Sequence, residues 1–347
     1  MGTFDVNKLV RKNVTNMKSY LSARDEFKDF NTEMIFLDAN ENPFENGVNR
    51  YPDPQQNSVK LALAELKKVN VNQILLGNGS DEVLDLLIRV FCEPNKDNLI
   101  TLPPTYGMYE VLADLNAIEN REIVLNSDFQ PNVKSIFESV DANTKIIFLC
   151  SPNNPTGNSF SDTAISELLD NFNGLIVLDE AYIDFSKSES WLSKIEKYPN
   201  LVITQTLSKA FGMAGIRVGI LYASASIIAI VNKIKPPYNI NVLSQKKALE
   251  RIIDIDKYNI EIQTILDNKR ELIEQLSKIK YIEKIFPSDA NFVLIKVDNA
   301  SKRYNQLIDF GIVIRNRTTQ LLCENCLRIT IGTKSENEKL INALSKL

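Results

Sequence analysis

A lysine between small polar side chains follows an apolar, β-branched run near the middle of the chain. The run 201–204 has the composition of a buried strand, and Thr206, Ser208 and Lys209 come directly after it. Arg217 lies eight residues beyond the lysine. Such a lysine can hold an aldehyde cofactor as a Schiff base, while the hydroxyls and the guanidinium hold its phosphate. A strand end with a solvated lysine would show the same pattern, so these residues alone leave both interpretations open.

Other candidate groups also follow predicted strands. Asp179 comes after the apolar run 175–178, and a buried carboxylate there could keep a pyridine nitrogen protonated. Asn154 and Tyr182 lie in turns that could supply hydrogen bonds to the ring oxygen, and Tyr106 lies in a proline-fixed loop where it could stack on the ring. Each has a plain alternative, such as capping a turn or filling the core. Together, on one edge of one sheet, they favour a pyridoxal phosphate site.

A glycine turn before a predicted helix is a second candidate for the phosphate. Gly77-Asn78-Gly79-Ser80 leads into the apolar-periodic run 83–91, with Ser80 predicted as the N-cap and Asp81 in the first turn. A helix N-terminus offers free backbone N–H groups to an anion, although the same residues also make a plain capped turn. The chain has neither G-x-x-x-x-G-K-[ST] nor G-x-G-x-x-G, which argues against a nucleotide-binding protein that uses this turn.

The strands that must position these groups alternate with helices. Apolar runs predict strands at 99–102, 122–125, 145–150, 175–178, 201–204 and 218–222. Helical patterns lie around 105–116, 131–139, 161–171 and 188–197. The predicted fold class is therefore α/β, with a mainly parallel sheet sandwiched by helices, and ligands in such sheets lie at the carboxyl ends of the strands.

A smaller α+β domain is predicted after residue 235. A long helical pattern covers about 243–278, and strands are predicted at 292–297, 312–315 and 327–331. We expect residues 45–235 to form the large cofactor-binding domain. The small domain would combine residues 1–44 with 236–347.

Composition excludes several classes of protein. The 347 residues are 44% hydrophobic and 24% charged, and the net charge of −4 gives no reason to expect nucleic acid or an anionic membrane as partner. No leader and no membrane-spanning run is seen, so a cytoplasmic protein is expected. Histidine is absent, which excludes Ser-His-Asp and Cys-His nucleophiles. Cys323 and Cys326 have no second pair to complete a zinc site, and no metal is expected.

The sequence resembles the fold-type I pyridoxal-phosphate aminotransferases, and among them the histidinol-phosphate aminotransferase family. The Asn-Asn-Pro-Thr-Gly element at 153–157 and the Ser-Lys-Ala-Phe-Gly element at 208–212 are typical of the superfamily. Tyr20 within the stretch 19–27, Arg50-Tyr51-Pro52 and the run 103–109 narrow the resemblance to the family. Ser19 stands where the family usually has proline.

The resemblance implies a complete pyridoxal 5′-phosphate site. Lys209 would hold the cofactor and shuttle the proton, Asp179 would pair with the pyridine nitrogen, and Tyr106 would stack on the ring. Asn154 and Tyr182 would contact the ring oxygen. The cofactor phosphate would be surrounded by Ser80, Asp81, Thr206, Ser208 and Arg217.

The resemblance also implies a homodimer with a shared active site. Tyr51 would reach the cofactor phosphate of the neighbouring subunit. The anionic end of the substrate would be held by Tyr20, Arg315 and Arg328, and Asn42 would also bind the substrate.

The implied reaction moves an amino group between L-histidinol phosphate and 2-oxoglutarate, in L-histidine biosynthesis. Its products are imidazole-acetol phosphate and L-glutamate. An aromatic amino-acid aminotransferase and a threonine-phosphate decarboxylase share most cofactor residues and remain alternatives. A non-catalytic cofactor-binding module is less well supported, because no DNA-binding segment is evident and every chemical position is filled.

Overall fold

The computed structural model describes residues 4–20, 22, 24 and 34–347, so part of the motif at 19–27 lies outside the described residues. A large sheet runs through the middle of this region in the order β1-β7-β6-β5-β4-β2-β3. Its strands are β1 (Ile74–Asn78), β2 (Asn98–Thr101), β3 (Glu119–Glu122), β4 (Thr144–Cys150), β5 (Leu175–Asp179), β6 (Leu201–Thr206) and β7 (Val218–Ala223).

The strands from β3 to β6 are all parallel, and β7 is antiparallel to both of its neighbours, β1 and β6. The carboxyl ends of β1, β2, β4, β5 and β6 therefore share one edge with the start of β7. That geometry explains why candidate groups follow most strands but Arg217 precedes one. The α/β prediction is confirmed.

Helices cover both faces of the large sheet, and a buried apolar cluster lies on each face. Strands β5, β6 and β7 are buried along their whole length, and the polar residues at the ends of β5 and β6 are buried with the apolar runs before them. The helices of this part are α1 (Lys12–Asn16), α2 (Asn57–Lys67), α3 (Ser80–Phe91), α4 (Met108–Leu115), α5 (Val133–Ser139), α6 (Asp162–Asn171) and α7 (Ala225–Asn232). No helix in the described ranges is both long and apolar enough to cross a bilayer.

The C-terminal part forms a second, antiparallel sheet with the order β10-β11-β9-β8 and its own apolar core. Its strands are β8 (Ile282–Ile285), β9 (Phe292–Val297), β10 (Arg315–Asn316) and β11 (Cys326–Thr330). Its helices are α8 (Val242–Ile253), α9 (Ile255–Leu276), α10 (Ala300–Asp309) and α11 (Lys334–Leu344). The domain boundaries at 44/45 and 235/236 stay a prediction.

Four predicted elements differ from the structure. The strand expected at 312–315 is found only at Arg315–Asn316. The strand expected at 122–125 lies at Glu119–Glu122 as an edge strand, which lacks the apolar run of a buried strand. The long helix expected at 243–278 is two helices, which break at Asp254 (φ −88°, ψ 60°). The pattern at 188–197 forms only a 3₁₀ turn, Trp191–Lys194, and the Trp191 amide donates to the buried Glu180 carboxylate.

The small sheet meets the large one at the turn after β4. The Asp289 amide donates to the Gly157 carbonyl over 2.7 Å, and a Cβ on Gly157 would lie 2.6 Å from Ser288 Oγ. Gly157 has a φ of +86°, which favours glycine in addition to this close approach. The contact brings the small sheet against the edge that carries the candidate groups.

Candidate active site

Asp179 ends β5 and is 3% exposed. One carboxylate oxygen accepts from the Tyr109 hydroxyl over 2.7 Å, and the other accepts from the Ala181 amide over 3.1 Å. Burial raises the pKa of Asp179, while these two hydrogen bonds oppose the rise. Among the described residues the carboxylate has no ion-pair partner, so β5 ends in a buried acid whose charge no cation of these residues compensates within ion-pair distance.

Tyr109 fixes that carboxylate from the helix side. It lies in α4, is 1% exposed, and stacks on Phe148 of β4 with ring centroids 4.8 Å apart. The predictions assigned it no role. The sequence contains one indication of a role for Tyr109, which is its place in the run 103–109. It lies three residues after Tyr106, and residues three apart share one face of a helix.

Lys209 lies in the turn that follows β6. The turn is set by the Leu207 amide, which donates to the Val218 carbonyl over 3.0 Å, and by the Gly212 amide, which donates to the Lys209 carbonyl over 3.0 Å. The lysine nitrogen lies 5.6 Å from the centroid of the Tyr182 ring. Desolvation lowers the pKa of Lys209, and the nearby Arg328 guanidinium lowers it further. These surroundings therefore ease the loss of the lysine proton, and solvent can still reach the side chain.

A close approach between β7 and the start of α3 builds an anion cup beside this lysine. Gly77 and Gly219 face each other across β1 and β7, and a Cβ on Gly219 would lie 2.3 Å from the Ser80 nitrogen. Gly79 has a φ of +83°, and a Cβ there would lie 2.5 Å from Arg217 Nη2. Glycine is thus required at both 79 and 219, and the guanidinium of Arg217 lies over the free amides of the helix N-terminus.

The N-cap of α3 is Gly79, so the prediction that Ser80 caps this helix was wrong by one residue. Ser80 is the first helical residue instead. The reason is backbone conformation, because the tight turn needs a positive φ at the capping position and serine adopts it rarely.

Thr206 and Ser208 complete the cup from β6. Thr206 faces Gly219 across the strand pair, and its hydroxyl both donates to the Val218 carbonyl over 3.3 Å and accepts from the Ser208 amide over 3.1 Å. The pairing with Gly219 places Thr206 near the start of α3, and the bond to the Ser208 amide fixes the turn that leads to Lys209. The structure therefore brings together the residues that were predicted to hold the cofactor phosphate.

Tyr106 reaches the same cup from the loop after β2. Its hydroxyl donates to Asp81 Oδ1 over 3.0 Å, and Asp81 also lies 3.8 Å from Arg217 Nη2. Burial and the Asp81 carboxylate raise the pKa of Tyr106, so it stays a neutral phenol. Its ring meets Tyr109 edge to face with centroids 5.6 Å apart, which leaves the ring beside Asp179.

Asn154 and Tyr182 meet residues of the small sheet. Asn154 is 8% exposed, and its side-chain oxygen accepts from Arg328 Nη1. The Arg328 guanidinium lies 5.1 Å from the Phe292 ring, and Tyr182 packs edge-on against the same ring at 5.2 Å. Burial and the Arg317 charge lower the pKa of Arg328 to about 10. The Arg328 guanidinium of the small sheet thus lies beside the Asn154 amide and the Tyr182 phenol, which follow strands of the large sheet.

Four predicted residues lie away from this cluster. Tyr20 is 72% exposed, and Tyr51 is 51% exposed and stacks on Tyr238 with centroids 4.5 Å apart. Asn42 is exposed, and its side chain accepts from the Phe44 amide over 2.9 Å. Arg315 is exposed but is the cross-strand neighbour of Arg328. Within the described residues, no hydrogen bond or ring contact joins Tyr20, Asn42 or Tyr51 to the cluster.

The arrangement combines a lysine, a buried acid and an anion cup at one edge of the large sheet. The family model for class I and II aminotransferases matches residues 27–344. The chain belongs to this aminotransferase family. It is also 67% identical to the histidinol-phosphate aminotransferase of Flavobacterium johnsoniae, over all of both chains, which places it among the proteins of that name.

Solved structures agree with this family. The histidinol-phosphate aminotransferase of Clostridium acetobutylicum superposes with a TM-score of 0.79 at 26% identity, covering 86% of this chain and 90% of that one. The enzyme of the same name from Sinorhizobium meliloti, in complex with pyridoxal-5′-phosphate, has the same fold, with a TM-score of 0.78 at 22% identity. This superposition covers 86% of the present chain and 82% of the Sinorhizobium meliloti chain.

The predicted family, the aminotransferase activity and the pyridoxal phosphate cofactor are confirmed. The roles of individual side chains stay predictions. Arg317 was assigned no role from the sequence, although it lies two residues beyond Arg315 in the same short strand region.

Proposed function

We propose that this aminotransferase transfers the amino group of L-histidinol phosphate to 2-oxoglutarate, forming imidazole-acetol phosphate and L-glutamate in L-histidine biosynthesis. The observation that carries the proposal is the position of Arg328, which hydrogen-bonds Asn154 beside Lys209. A guanidinium there can hold the phosphate of one substrate and a carboxylate of the other. The identity of 67% to a histidinol-phosphate aminotransferase supports the same assignment.

The described residues fit pyridoxal 5′-phosphate. Asp179 is a buried carboxylate without a cation partner among them, which suits a protonated pyridine nitrogen. The amides at the start of α3 lie under Arg217, which suits a phosphate. When bound, the cofactor supplies an electron-withdrawing ring that acidifies the C–H bond of the substrate amine.

Lys209 would attach the cofactor and move the proton. Its lowered pKa keeps a larger fraction of the amine neutral, and only a neutral amine can attack an aldehyde or accept a proton. Once displaced by the substrate amine, Lys209 Nζ would take the proton from the substrate carbon and return it to the cofactor carbon.

Asp179 would hold the pyridine nitrogen in its protonated state. The Tyr109 hydroxyl and the Ala181 amide orient its two oxygens, so the charge is fixed before the substrate arrives. A preorganised charge in a buried site is worth more than the same charge in water. We assign this contact as the largest electrostatic contribution of the chain.

The remaining residues would orient the ring and exclude water. Tyr106 would cover one ring face, and Asn154 and Tyr182 would bind the ring oxygen. Ser80, Asp81, Thr206, Ser208 and Arg217 would hold the phosphate, with Asp81 orienting the Tyr106 hydroxyl as well. The anionic end of the substrate would be bound by Tyr20, Arg315 and Arg328, and Asn42, whose side chain accepts from the Phe44 amide, would also bind the substrate.

We further propose a homodimer in which Tyr51 contacts the cofactor phosphate of the partner subunit. Large apolar side chains are exposed on the segment that leads to Tyr51, with Ile35 at 88%, Leu37 at 87% and Phe44 at 79%. Such a patch marks a protein interface. Tyr51 makes no contact with the candidate site of its own subunit, and its side chain is accessible. Both are required if it contacts the cofactor of the partner subunit.

Complementation tests the shared site. Lys209→Ala and Tyr51→Ala chains, each inactive or weakly active alone, should together form a mixed dimer with one intact site. Activity of the mixture above the sum of the two parents supports sharing. A purely additive activity, or a monomer by light scattering, would contradict it.

We place the protein in the cytoplasm. All four cysteines are free and buried, which suits a reducing compartment. Fractionation of cells with an antibody to the chain tests this placement.

The decisive assay offers purified enzyme histidinol phosphate with 2-oxoglutarate, and separately phenylalanine and threonine phosphate. We expect the highest kcat/KM for histidinol phosphate and ping-pong kinetics. A higher kcat/KM for phenylalanine would indicate an aromatic aminotransferase, and release of CO₂ from threonine phosphate would indicate a decarboxylase. Either result would overturn the proposal.

A further inference from the structure

Three arginines share one face of the small sheet, and we call them the guanidinium face: Arg315, Arg317 and Arg328. Arg315 and Arg328 are direct partners in the antiparallel pair β10–β11. The pairing continues past β10, because the Arg317 amide donates to the Cys326 carbonyl over 2.9 Å. Residues opposite each other or two apart along paired strands lie on the same face.

These guanidinium groups have few protein partners. The Nε atoms of Arg317 and Arg328 are buried and have no hydrogen-bond partner among the described residues. No carboxylate in the described ranges forms an ion pair with any of the three arginines. By contrast, Arg303 on the neighbouring helix α10 is paired with Asp298 at 2.7 Å. Buried donors without partners are uncommon and need an explanation.

The three charges also act on one another. Burial and the Arg315 charge lower the pKa of Arg317, and the Arg317 charge in turn contributes to the lowered pKa of Arg328. Like charges in a partly desolvated site repel, so the folded chain carries an uncompensated positive cluster. A ligand with more than one negative charge would remove this repulsion.

The cluster lies at the cleft and not on a remote surface. Arg328 contacts Asn154, and both Arg317 and Arg328 act on the Tyr182 phenol, whose pKa they lower against the effect of burial. Tyr182 in turn lies 5.6 Å from the Lys209 nitrogen. A substrate amine near Lys209 could therefore extend its anionic end to the guanidinium face.

We propose that Arg317 is a specificity-determining residue, which makes this site prefer a phosphate dianion over a single carboxylate. The inference rests on the proposed function and assigns Arg317 to the substrate phosphate. A carboxylate has two oxygens and one charge, which one planar guanidinium can match. A phosphate monoester offers three terminal oxygens and nearly two charges, so a second, half-buried guanidinium adds binding that a carboxylate cannot use to the same extent.

Steady-state kinetics of Arg317→Gln test the proposal. The KM for histidinol phosphate should rise about tenfold to a hundredfold, as expected for a lost hydrogen bond to a charged group. The KM for 2-oxoglutarate should rise less than about threefold, and kcat should stay near the native value, because Lys209 and Asp179 are untouched. Inorganic phosphate should also become a weaker competitive inhibitor.

Two further variants separate this role from a structural one. Arg317→Lys keeps the charge without the planar fork and should recover part of the lost affinity for phosphate. Arg270→Gln removes an exposed arginine of α9 that is paired with Asp267, and both KM values should be unchanged. If the Arg317→Gln chain does not fold, Arg317→Lys alone must still weaken phosphate inhibition.

Equal changes in both KM values, or no change in either, would overturn the proposal. Failure of this inference and failure of the proposed function give different results. If the native enzyme does not turn over histidinol phosphate, the proposed reaction fails. Weaker inhibition of Arg317→Gln by inorganic phosphate would then still support a phosphate-binding role for Arg317, measured with whichever amino donor is used.

Discussion

The cofactor edge of the large sheet and the guanidinium face of the small sheet are built on different principles. At the cofactor edge, Asp179 is the last residue of the buried strand β5, and Lys209 lies in the short turn after the buried strand β6. On the guanidinium face, Arg315 and Arg317 depend on a strand of two residues that is held by pairing with β11. At the cofactor edge the Asp179 carboxylate has only neutral hydrogen-bond donors, whereas the guanidinium face brings three positive charges together without a carboxylate partner in the described ranges. The first arrangement suits the cationic ring of the cofactor, and the second suits the anionic substrate that we propose.

The largest expected effect tests the cofactor edge. Lys209→Ala should lower kcat/KM by roughly 10⁴-fold or more, because both the covalent attachment and the proton carrier are lost. Single-turnover assays with added cofactor measure it. Lys302→Ala, an exposed lysine of α10, is the control and should retain native activity. Near-native turnover of Lys209→Ala would contradict the assignment.

Two adjacent buried carboxylates give the next test. Asp179→Asn should lower kcat by about a hundredfold to a thousandfold, since a neutral amide cannot hold a protonated pyridine nitrogen. The matched control is Glu180→Gln, whose carboxylate accepts from Gln205 and the Trp191 amide and has no place at the cofactor edge. We expect Glu180→Gln to lower the melting temperature with little loss of kcat in the folded fraction. A large loss of kcat in Glu180→Gln together with a near-native kcat in Asp179→Asn would contradict this assignment of the two carboxylates.

Gly219→Ala tests whether the anion cup depends on a close backbone approach. A Cβ 2.3 Å from the Ser80 nitrogen forces β7 and α3 apart, so we expect about 1–3 kcal/mol of lost stability and weaker binding of the cofactor. Gly107→Ala is the control, because a Cβ there meets nothing within 4 Å and its φ is −66°. Thermal melting and cofactor titration compare the two. Equal effects would mean that the cup is not tightly packed.

The smallest expected effect links the two regions through the pKa of Lys209. Cofactor recombines only with the neutral amine, so the recombination rate of the apoenzyme should rise with pH through that pKa. Arg328→Gln removes a positive neighbour and should move the inflection to higher pH, by less than about one unit at this partly accessible site. Stopped-flow absorbance measures the rate. An inflection that stays in place or moves to lower pH would show that the guanidinium face does not act on Lys209.

The sequence predicted the cofactor edge better than the substrate end for a physical reason. Buried strands show as apolar runs, and the groups that follow them must lie at one edge of a parallel sheet. Lys209, Asp179 and Thr206 were found in this way. Tyr109 was missed because a helix carries it to Asp179, and nothing local indicates which carboxylate a buried phenol will meet.

Sequence by itself determined the chemical groups of this aminotransferase, the alternation of strands and helices, and the family through its motifs. Only the tertiary structure decided the strand order, with β7 antiparallel between β1 and β6, and so the position of Arg217 over Gly79. It also decided that Arg317 shares a face with Arg328. Periodicity and turn chemistry act between near neighbours in the chain, whereas sheet order and cross-strand register depend on contacts between residues far apart in it.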